Sequence, residues 1–458
     1  MFAQNALDAI RFSGQSPLHS ARVAAIGGAN VSLGGDLSAT FINPAGLAQF
    51  KTNEMVFTPG FLRNRADMRY NDSSYKDNRG ALNAGTSGFV LSWGGRYRSS
   101  RTRNTTLGLA IQQTANYNSN FGYQGRNVNS SFSEKWVDQL VDLRVDDFGR
   151  ALSGFPDGAS LAVENYLVDT INSGGFINGY RSNAGIRPGL DALYQRFTYE
   201  TRGGMYEAAI ALASNSNDKF YYGVTVGFPF VNYQQRTVVQ EADVTGNTDN
   251  DFASLRFTEN FSTRGGGVNA KLGMIYRPVD YVRIGLTFHT PSFLNLTDET
   301  EARLETDVEN FARKVTGDPN RASRFNLATS DITGGVPFNY SYSLTTPWRL
   351  AAGISYVFRE IRDVAKQRAF LSGDVELVNY RAMSYSSNQA AASLEDDQYF
   401  RSVNAAIDEI FRMAINARIG GEVKFKTWMV RGGFQYMGSP YNKSAFPEDV
   451  RGHRIIPS

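Results

Sequence analysis

The chain has 458 residues, a formal net charge of +3 and no cysteine, which removes thiolate metal sites, disulfides and cysteine nucleophiles and gives no electrostatic case for nucleic acid. Hydrophobic residues make up 41 % and mean hydropathy is −0.35, and no apolar run reaches the ~18 residues that a membrane-spanning helix needs. A spanning β-strand turns only alternate residues to lipid, so a barrel stays compatible with these values; 23 Tyr, 31 Phe and 44 Gly suit twisted strands with aromatic girdles.

Met1-Phe2-Ala3-Gln4 reads as the stub of a signal peptide, without the basic and apolar regions expected upstream. Residues 5–50 lack strand alternation. Ser20 to Ala29 is small and Gly-rich, Asp36 to Ile42 follows, and then comes Asn43-Pro44-Ala45-Gly46-Leu47-Ala48. Pro44 fixes its own φ and biases Asn43 away from helix, while Gly46 permits a sharp reversal. Such a segment is expected to be a compact plug or a cap leading into the first strand.

Several segments after residue 51 share one pattern, with apolar residues at every second position. Val268, Ala270, Leu272, Met274 and Tyr276 oppose Asn269, Lys271 and Gly273, with Ile275 out of phase; Val282, Ile284, Leu286 and Phe288 oppose Arg283, Gly285, Thr287 and His289. Ile415, Ala417, Ile419, Val423 and Phe425 oppose Asn416, Arg418, Gly420, Glu422 and Lys424, and Trp428, Val430, Phe434 and Tyr436 oppose Arg431, Gly433 and Gln435. Period two means strand. Strands are predicted at 54–62, 86–98, 105–117, 204–214, 219–232, 266–277, 281–293, 347–358, 368–380, 414–425 and 428–438. The connections alternate long (63–85, 118–203, 233–265, 294–346, 381–413) with short (99–104, 215–218, 278–280, 359–367, 426–427). Long loops on one rim and tight turns on the other are the pattern of an outer-membrane barrel, whereas a soluble domain has no reason to sort its loops so strictly.

Helical spacing is expected inside the long loops. The candidates are Phe132, Trp136, Leu140 and Leu143; Leu161, Tyr166, Leu167 and Ile171; Leu304, Val308, Phe311, Ala312 and Val315; and Ile407, Ile410 and Phe411. Such helices either pack on the rim or form a greasy landing site for ligand. On predicted inner faces lie Lys271, Arg283, Arg349, Asp374, Glu376, Arg418, Glu422, Lys424 and Arg431. They read either as a paired, hydrated network or as a set in which one or two cations meet a ligand carboxylate. His19, His289 and His453 lie far apart without ligand spacing, so no metal is expected. Gly265 to Ala270 matches a dinucleotide fingerprint but opens a strand instead of a helix, and no nucleophile elbow or P-loop occurs. An enzyme and a cofactor are therefore not expected.

The 21–29 stretch, the Asp36 linker and the Asn43–Ala48 box resemble the FadL/TodX family of outer-membrane transporters for hydrophobic compounds, as do residues 267–278, 283–291 and 345–350. The resemblance touches the first fifty residues and most predicted strands, while the outer loops look particular to this chain. It implies an all-β fold, an antiparallel transmembrane β-barrel of fourteen strands in the family, with an N-terminal hatch inside the lumen and helical extracellular loops. Residues 1–50 would be the hatch and 51–458 the barrel. Asn43, Pro44, Ala45 and Gly46 would carry the hatch motif.

The implied cargo is a long-chain fatty acid or aromatic hydrocarbon, moving passively from an outer groove to an inner pocket and released by a hatch rearrangement. Lys271 and Arg349 are the candidate lumen cations for an acidic ligand, each lying in a family-like segment. The implied setting is the outer membrane of a Gram-negative cell, a monomer in contact with membrane lipid and lipopolysaccharide, and no nucleic acid. Some relatives serve protein secretion as shuttle or partner subunits, which is the alternative role. About eleven strands are predicted against the family's fourteen, and residues 452–458 read as neither strand nor terminal aromatic. The expectation is that about three C-terminal strands are missing and that two bare edges result.

Overall fold

The computed structural model describes residues 5–14, 19–71, 73–94, 102–142, 144–173, 176–358, 368–388, 394–425, 427–445 and 454–457. Met1–Gln4, Leu143, His453 and the 359–367 connection, about which the sequence raised expectations, lie outside them. Among the described residues no helix is long and apolar enough to cross a membrane.

Among the described residues the wall is an antiparallel meander of eleven staves, some made of two strands in succession. The first is β1 (Glu54–Val56) with β2 (Pro59–Tyr70), and the second β3 (Ser73–Ala84) with β4 (Ser87–Gly94). The third is β5 (Thr102–Asn116) with β6 (Ser119–Asn127). A long excursion then carries the hairpin β7 (Val168–Ser173) and β8 (Phe176–Ser182). Staves four to six are single long strands, β9 (Leu193–Ser216), β10 (Phe220–Asp243) and β11 (Ser254–Val279). The seventh is β12 (Val282–His289) with β13 (Phe293–Asp307), against whose upper end β14 (Arg324–Ala328) pairs. The eighth is β15 (Phe338–Thr345) with β16 (Arg349–Phe358), and the ninth β17 (Ala369–Asn379) with β18 (Ser384–Ser387). The tenth is β19 (Met413–Lys424) and the eleventh β20 (Met429–Met437). Each stave pairs with its chain neighbour, as in Val224↔Leu272, Leu286↔Ala352 and Asp374↔Arg418.

Every predicted strand falls on one of these staves, but several predicted loops do not survive. Within the predicted 63–85 loop, 63–70 and 73–84 are strand and pair with each other as β2 and β3. The 233–265 loop shrinks to the ten residues between β10 and β11, and β9 begins at Leu193, eleven residues before its predicted start. The Gly265 triplet lies in the middle of β11, not at its start. Arg454–Pro457, expected to be non-strand, forms β21 and pairs with β20 (Tyr436↔Ile455).

Nine helices are described: α1 (Ala6–Arg11), α2 (Ala21–Ala24) and α3 (Ala39–Ile42) in the N-terminal segment, and α4 (Glu134–Asp142), α5 (Phe148–Ser153), α6 (Ala159–Glu164), α7 (Phe311–Thr316), α8 (Thr329–Thr333) and α9 (Leu394–Ile410) in the long connections. Helical spacing misassigned Ile171, which is in β7, and Leu304, which is in β13. Leu304 is a core residue of a strand whose inward face mixes Leu and Ala with Asp298, Thr300 and Thr306, so period two was hard to see there.

Candidate functional site

The site is the interior of the wall, and the outward face says where that wall sits. Along β10 the even residues point out and the odd ones in. Phe220, Tyr222, Val224, Val226, Phe228 and Phe230 form an exposed apolar row. Ten residue steps span about 34 Å of strand, which a 35–45° tilt reduces to a band about 25 Å tall, the height of a barrel's lipid belt. The row continues sideways as Ile210 and Leu212 on β9, Leu272, Met274 and Tyr276 on β11, Ile284, Leu286 and Phe288 on β12, Ile354 and Tyr356 on β16, and Ile415 and Ile419 on β19.

Above Phe230 the pattern reverses without a change of backbone phase. Outward positions become Asn232, Gln234 and Arg236, and the inward Val231, Tyr233 and Val239 are buried and apolar. The strands thus continue beyond the belt as a tower with an ordinary oily core. Trp136 and Leu140 of α4 fill it against Val239, Leu255, Phe257 and Leu304. Trp136 meets Phe257 edge-on at 5.2 Å, and Lys135 lies 4.0 Å from the Phe132 ring centroid. Buried Glu241 fixes this excursion, accepting from Ser131 Oγ at 2.5 Å, the Phe132 amide at 2.7 Å and Gln195 Nε2 at 2.5 Å. A second oily cluster joins α9 to α1 through Phe400, Ile407, Tyr342, Tyr385 and Phe12.

The described residues 5–14 and 19–50 line the inside of the wall. At the tower base, α1 is held by the Tyr117 hydroxyl donating to the Arg11 carbonyl (3.3 Å) and the Arg11 guanidinium over Tyr233 (4.6 Å). Lower down, the segment touches the inner face of staves two to eleven in turn. Ser38 Oγ bonds Thr86 Oγ1 at 3.0 Å, and Ser92 Oγ donates to the Phe50 carbonyl at 2.7 Å. Thr225 donates to the Thr40 carbonyl (2.9 Å), Arg283 to Leu33 O (3.1 Å) and Gln49 Oε1 (2.9 Å), and Arg349 to Ser13 O (2.9 Å). Asp374 accepts from the Val31 amide at 2.9 Å. Both ends of the meander meet the same stretch, since Gly85 on stave two approaches the His19 carbonyl and Arg418 on stave ten packs on Gly28.

Glycine makes the close approach possible. A Cβ on Gly273 would stand 1.9 Å from Asn43 Oδ1, on Gly285 2.3 Å from the Val31 carbonyl, on Gly420 2.1 Å from the Ile26 carbonyl, and on Gly433 2.2 Å from the Gly27 nitrogen. Each of these glycines shares a face with the charged residues of its strand, so the groove they form was present in the alternation. Ile275, out of phase in sequence, is buried with Phe41, Leu47 and Tyr221. It belongs to the segment's own packing.

Asn43 is fully buried at the centre of this contact. Its Nδ2 donates to Val31 O at 2.7 Å and reaches the wall carbonyls of Met274 (3.2 Å) and Leu286 (3.4 Å), while Oδ1 accepts from Ala45 N at 3.2 Å. Pro44 starts the short 3-10 turn Pro44–Gln49, and Gly46 sits against Gly34. The box therefore joins segment to segment and segment to wall.

All six cations of the inner-face set have partners. Lys271 is buried against Glu207 and donates to Asn269 Oδ1 at 2.8 Å. Glu376 takes Arg418 at 2.6 Å, with Arg349 at 4.0 Å, and Glu422 takes Arg431 at 2.6 Å, Lys424 at 3.7 Å and Arg22 of the segment at 3.9 Å. His289 shares a 2.9 Å hydrogen bond with the Ile42 carbonyl. Glu207 was not singled out in sequence. It lies on β9, where no charged neighbour marks the inner face. Two small polar cavities remain beside these groups, one of about 30 Å³ lined by Ser13, Lys271, His289 and Arg349, the other of about 50 Å³ lined by His19, His289, Arg349, Glu376 and Arg418. Each has room for a few waters at most.

Together the fold and this interior define an antiparallel β-barrel of the membrane type, occupied by its own N-terminal segment. No family profile matches the chain, and no curated protein does. Solved structures similar to it include a FadL homologue of Pseudomonas aeruginosa (12 % identity, TM-score 0.46, covering 95 % of this chain and 83 % of that one). Others are the Ralstonia pickettii toluene transporter TbuX (16 %, 0.44, 94 % and 88 %) and the Pseudomonas putida toluene transporter TodX (13 %, 0.41, 93 % and 84 %). The first and the third of these bear the names FadL and TodX.

Proposed function

We propose that this chain is an outer-membrane channel that admits hydrophobic compounds, with residues 1–50 as its hatch and 51–458 as its barrel. The observation that carries the reading is the reversal of faces: the wall is oily outside and polar inside over one bilayer thickness, and the polar inside is stoppered by a segment held through side chain–backbone hydrogen bonds. Such bonds are individually worth about 1 kcal/mol and can be exchanged for water or ligand one at a time, which suits a stopper that must move. Long-chain fatty acids and aromatic hydrocarbons are the cargo that the family resemblance favours. Lys271 and Arg349 are the cations an acidic cargo would meet. Each already faces Glu207 or Glu376, so an entering carboxylate would replace a protein one.

The test is uptake of radiolabelled oleate and toluene by cells with the gene deleted and then restored. Restoration by the wild type, and faster leak of a small apolar dye through Asn43→Ala, are expected; unchanged uptake of both compounds on deletion would remove the transport reading. A second reading, a barrel that serves as a structural or shuttle partner in protein secretion, is favoured by one observation: the two cavities beside the segment are small and polar. Stable co-purification with secretion components, together with unaltered uptake, would select it.

A further inference from the structure

The lipid belt has an uneven upper edge. On the β9–β13 side, cations and carboxylates alternate outside: Arg202 is held by Glu200 at 2.7 Å, and a groove there is shared by Arg202 and Arg236 with Glu299 and Glu301. The β2–β3 hairpin differs. Its cross-strand pairs put Phe61 with Leu82, then Arg63 with Gly80, Arg65 with Asn78, Asp67 with Lys76 and Arg69 with Ser74 on one outward face. Phe61 and Leu82 are 69 % and 81 % exposed and end the apolar band. Above them stand four cations and one carboxylate, Asp67, which lies 3.5 Å from Arg65. Arg63 donates to Asn78 at 2.7 Å, an amide that leaves its charge uncompensated. A shallow groove of about 480 Å³ runs between Arg63, Arg65, Lys76 and Asn78, with Asp77 at its edge.

Height identifies the occupant. Arg63 to Arg69 covers six residue steps, about 20 Å of strand and, at the usual tilt, about 16 Å above the belt. The headgroup layer of a phospholipid leaflet is only about 5–8 Å thick, so a single phosphate plane serves the lowest rung alone. Long cationic side chains can bend toward the interface, but not across the whole ladder. We propose that the outward face of the β2–β3 hairpin docks a multiply phosphorylated glycolipid of the outer leaflet, with acyl chains on Phe57, Phe61 and Leu82 and phosphates on Arg63, Arg65, Lys76 and Arg69. This rests on the membrane reading above.

The full chain would be reconstituted into phosphatidylcholine vesicles containing either phosphatidylglycerol or lipopolysaccharide, extracted gently, and its retained lipid counted by native mass spectrometry. Lipopolysaccharide is expected to be retained over phosphatidylglycerol. In R65S/R69S/K76S that retention should fall by roughly five-fold per cation removed, and Arg202→Ser should leave it unchanged. Added salt should strip it from the wild type, a readout that does not depend on the triple variant folding. Equal retention of the two lipids by the wild type, or equal lipopolysaccharide retention by wild type and an inserted triple variant, overturns the docking site alone. Failure of the wild type to insert into any vesicle overturns the membrane reading and the site together.

Discussion

One strand, β10, passes through two solvents. Between Phe220 and Phe230 its outward residues are oily and the wall's interior holds Lys271, Glu207 and Asn43; from Asn232 upward its outward residues are polar and its inward ones join the Trp136 core. The backbone pleat is continuous and the pairing with β9 is unbroken at the crossing. What changes is the surroundings of both faces, the outward one and the inward one alike. The apolar side of a strand is set by what lies beyond it, lipid in the belt and a packed helical cap in the tower.

The largest expected effect lies in the tower. Trp136→Ala should cost about 3–5 kcal/mol, because a buried indole leaves a cavity among Phe257, Val239 and Leu304. If urea unfolding followed by limited proteolysis of residues 128–192 showed no loss, the cap would not be a packed core. In the belt, Val224→Arg should cost about 2–4 kcal/mol on refolding into vesicles, as a cation near the bilayer middle. Val238→Arg, outward on the same strand but in the tower and paired with Thr198 and Thr258, should cost no more than about 1 kcal/mol; equal costs for the two would erase the boundary drawn at Phe230. Gly273→Val should cost about 1–3 kcal/mol by overpacking against Asn43. Its accompanying sign is faster protease cleavage within residues 5–50, and a segment that stays protected would argue against a tight fit there.

The smallest effect is electrostatic and local to the tower's outer loops. Lys314 donates to Asp249 at 3.0 Å, which holds that carboxyl below its ordinary range. A depressed carboxylate contributes stability above its unfolded pKa and loses it as pH falls through the folded one. The α7 loop should therefore loosen slightly below the ordinary aspartate range, and hydrogen exchange at residues 311–317 that is flat between neutral and acid pH would count against the contact.

Much of this was legible in sequence wherever the belt runs. Alternation with glycine and charge on one face is plain in β11, β12, β19 and β20, because lipid on one side and a polar lumen on the other impose opposite chemistry on neighbouring residues. The same glycines, Gly273, Gly285, Gly420 and Gly433, already marked the track on which the N-terminal segment lies. In the tower the signal faded. The outward face of β13 reads Asn295, Thr297, Glu299, Glu301 and Arg303, and its inward face mixes Leu294 and Leu296 with Asp298 and Thr300, so the strand passed for a loop containing a helix.

The role of Asn43 was visible only as a resemblance, since its partners Met274 and Leu286 are more than 230 residues away. The sequence by itself determined the staves, their order and which residues share a face, since these follow from a two-residue period acting on neighbours. Tertiary structure alone decided that Lys271 meets Glu207, that Asn43 spans three carbonyls, and where oil changes sides. Those outcomes depend on which distant surface each face meets, and no local pattern records that.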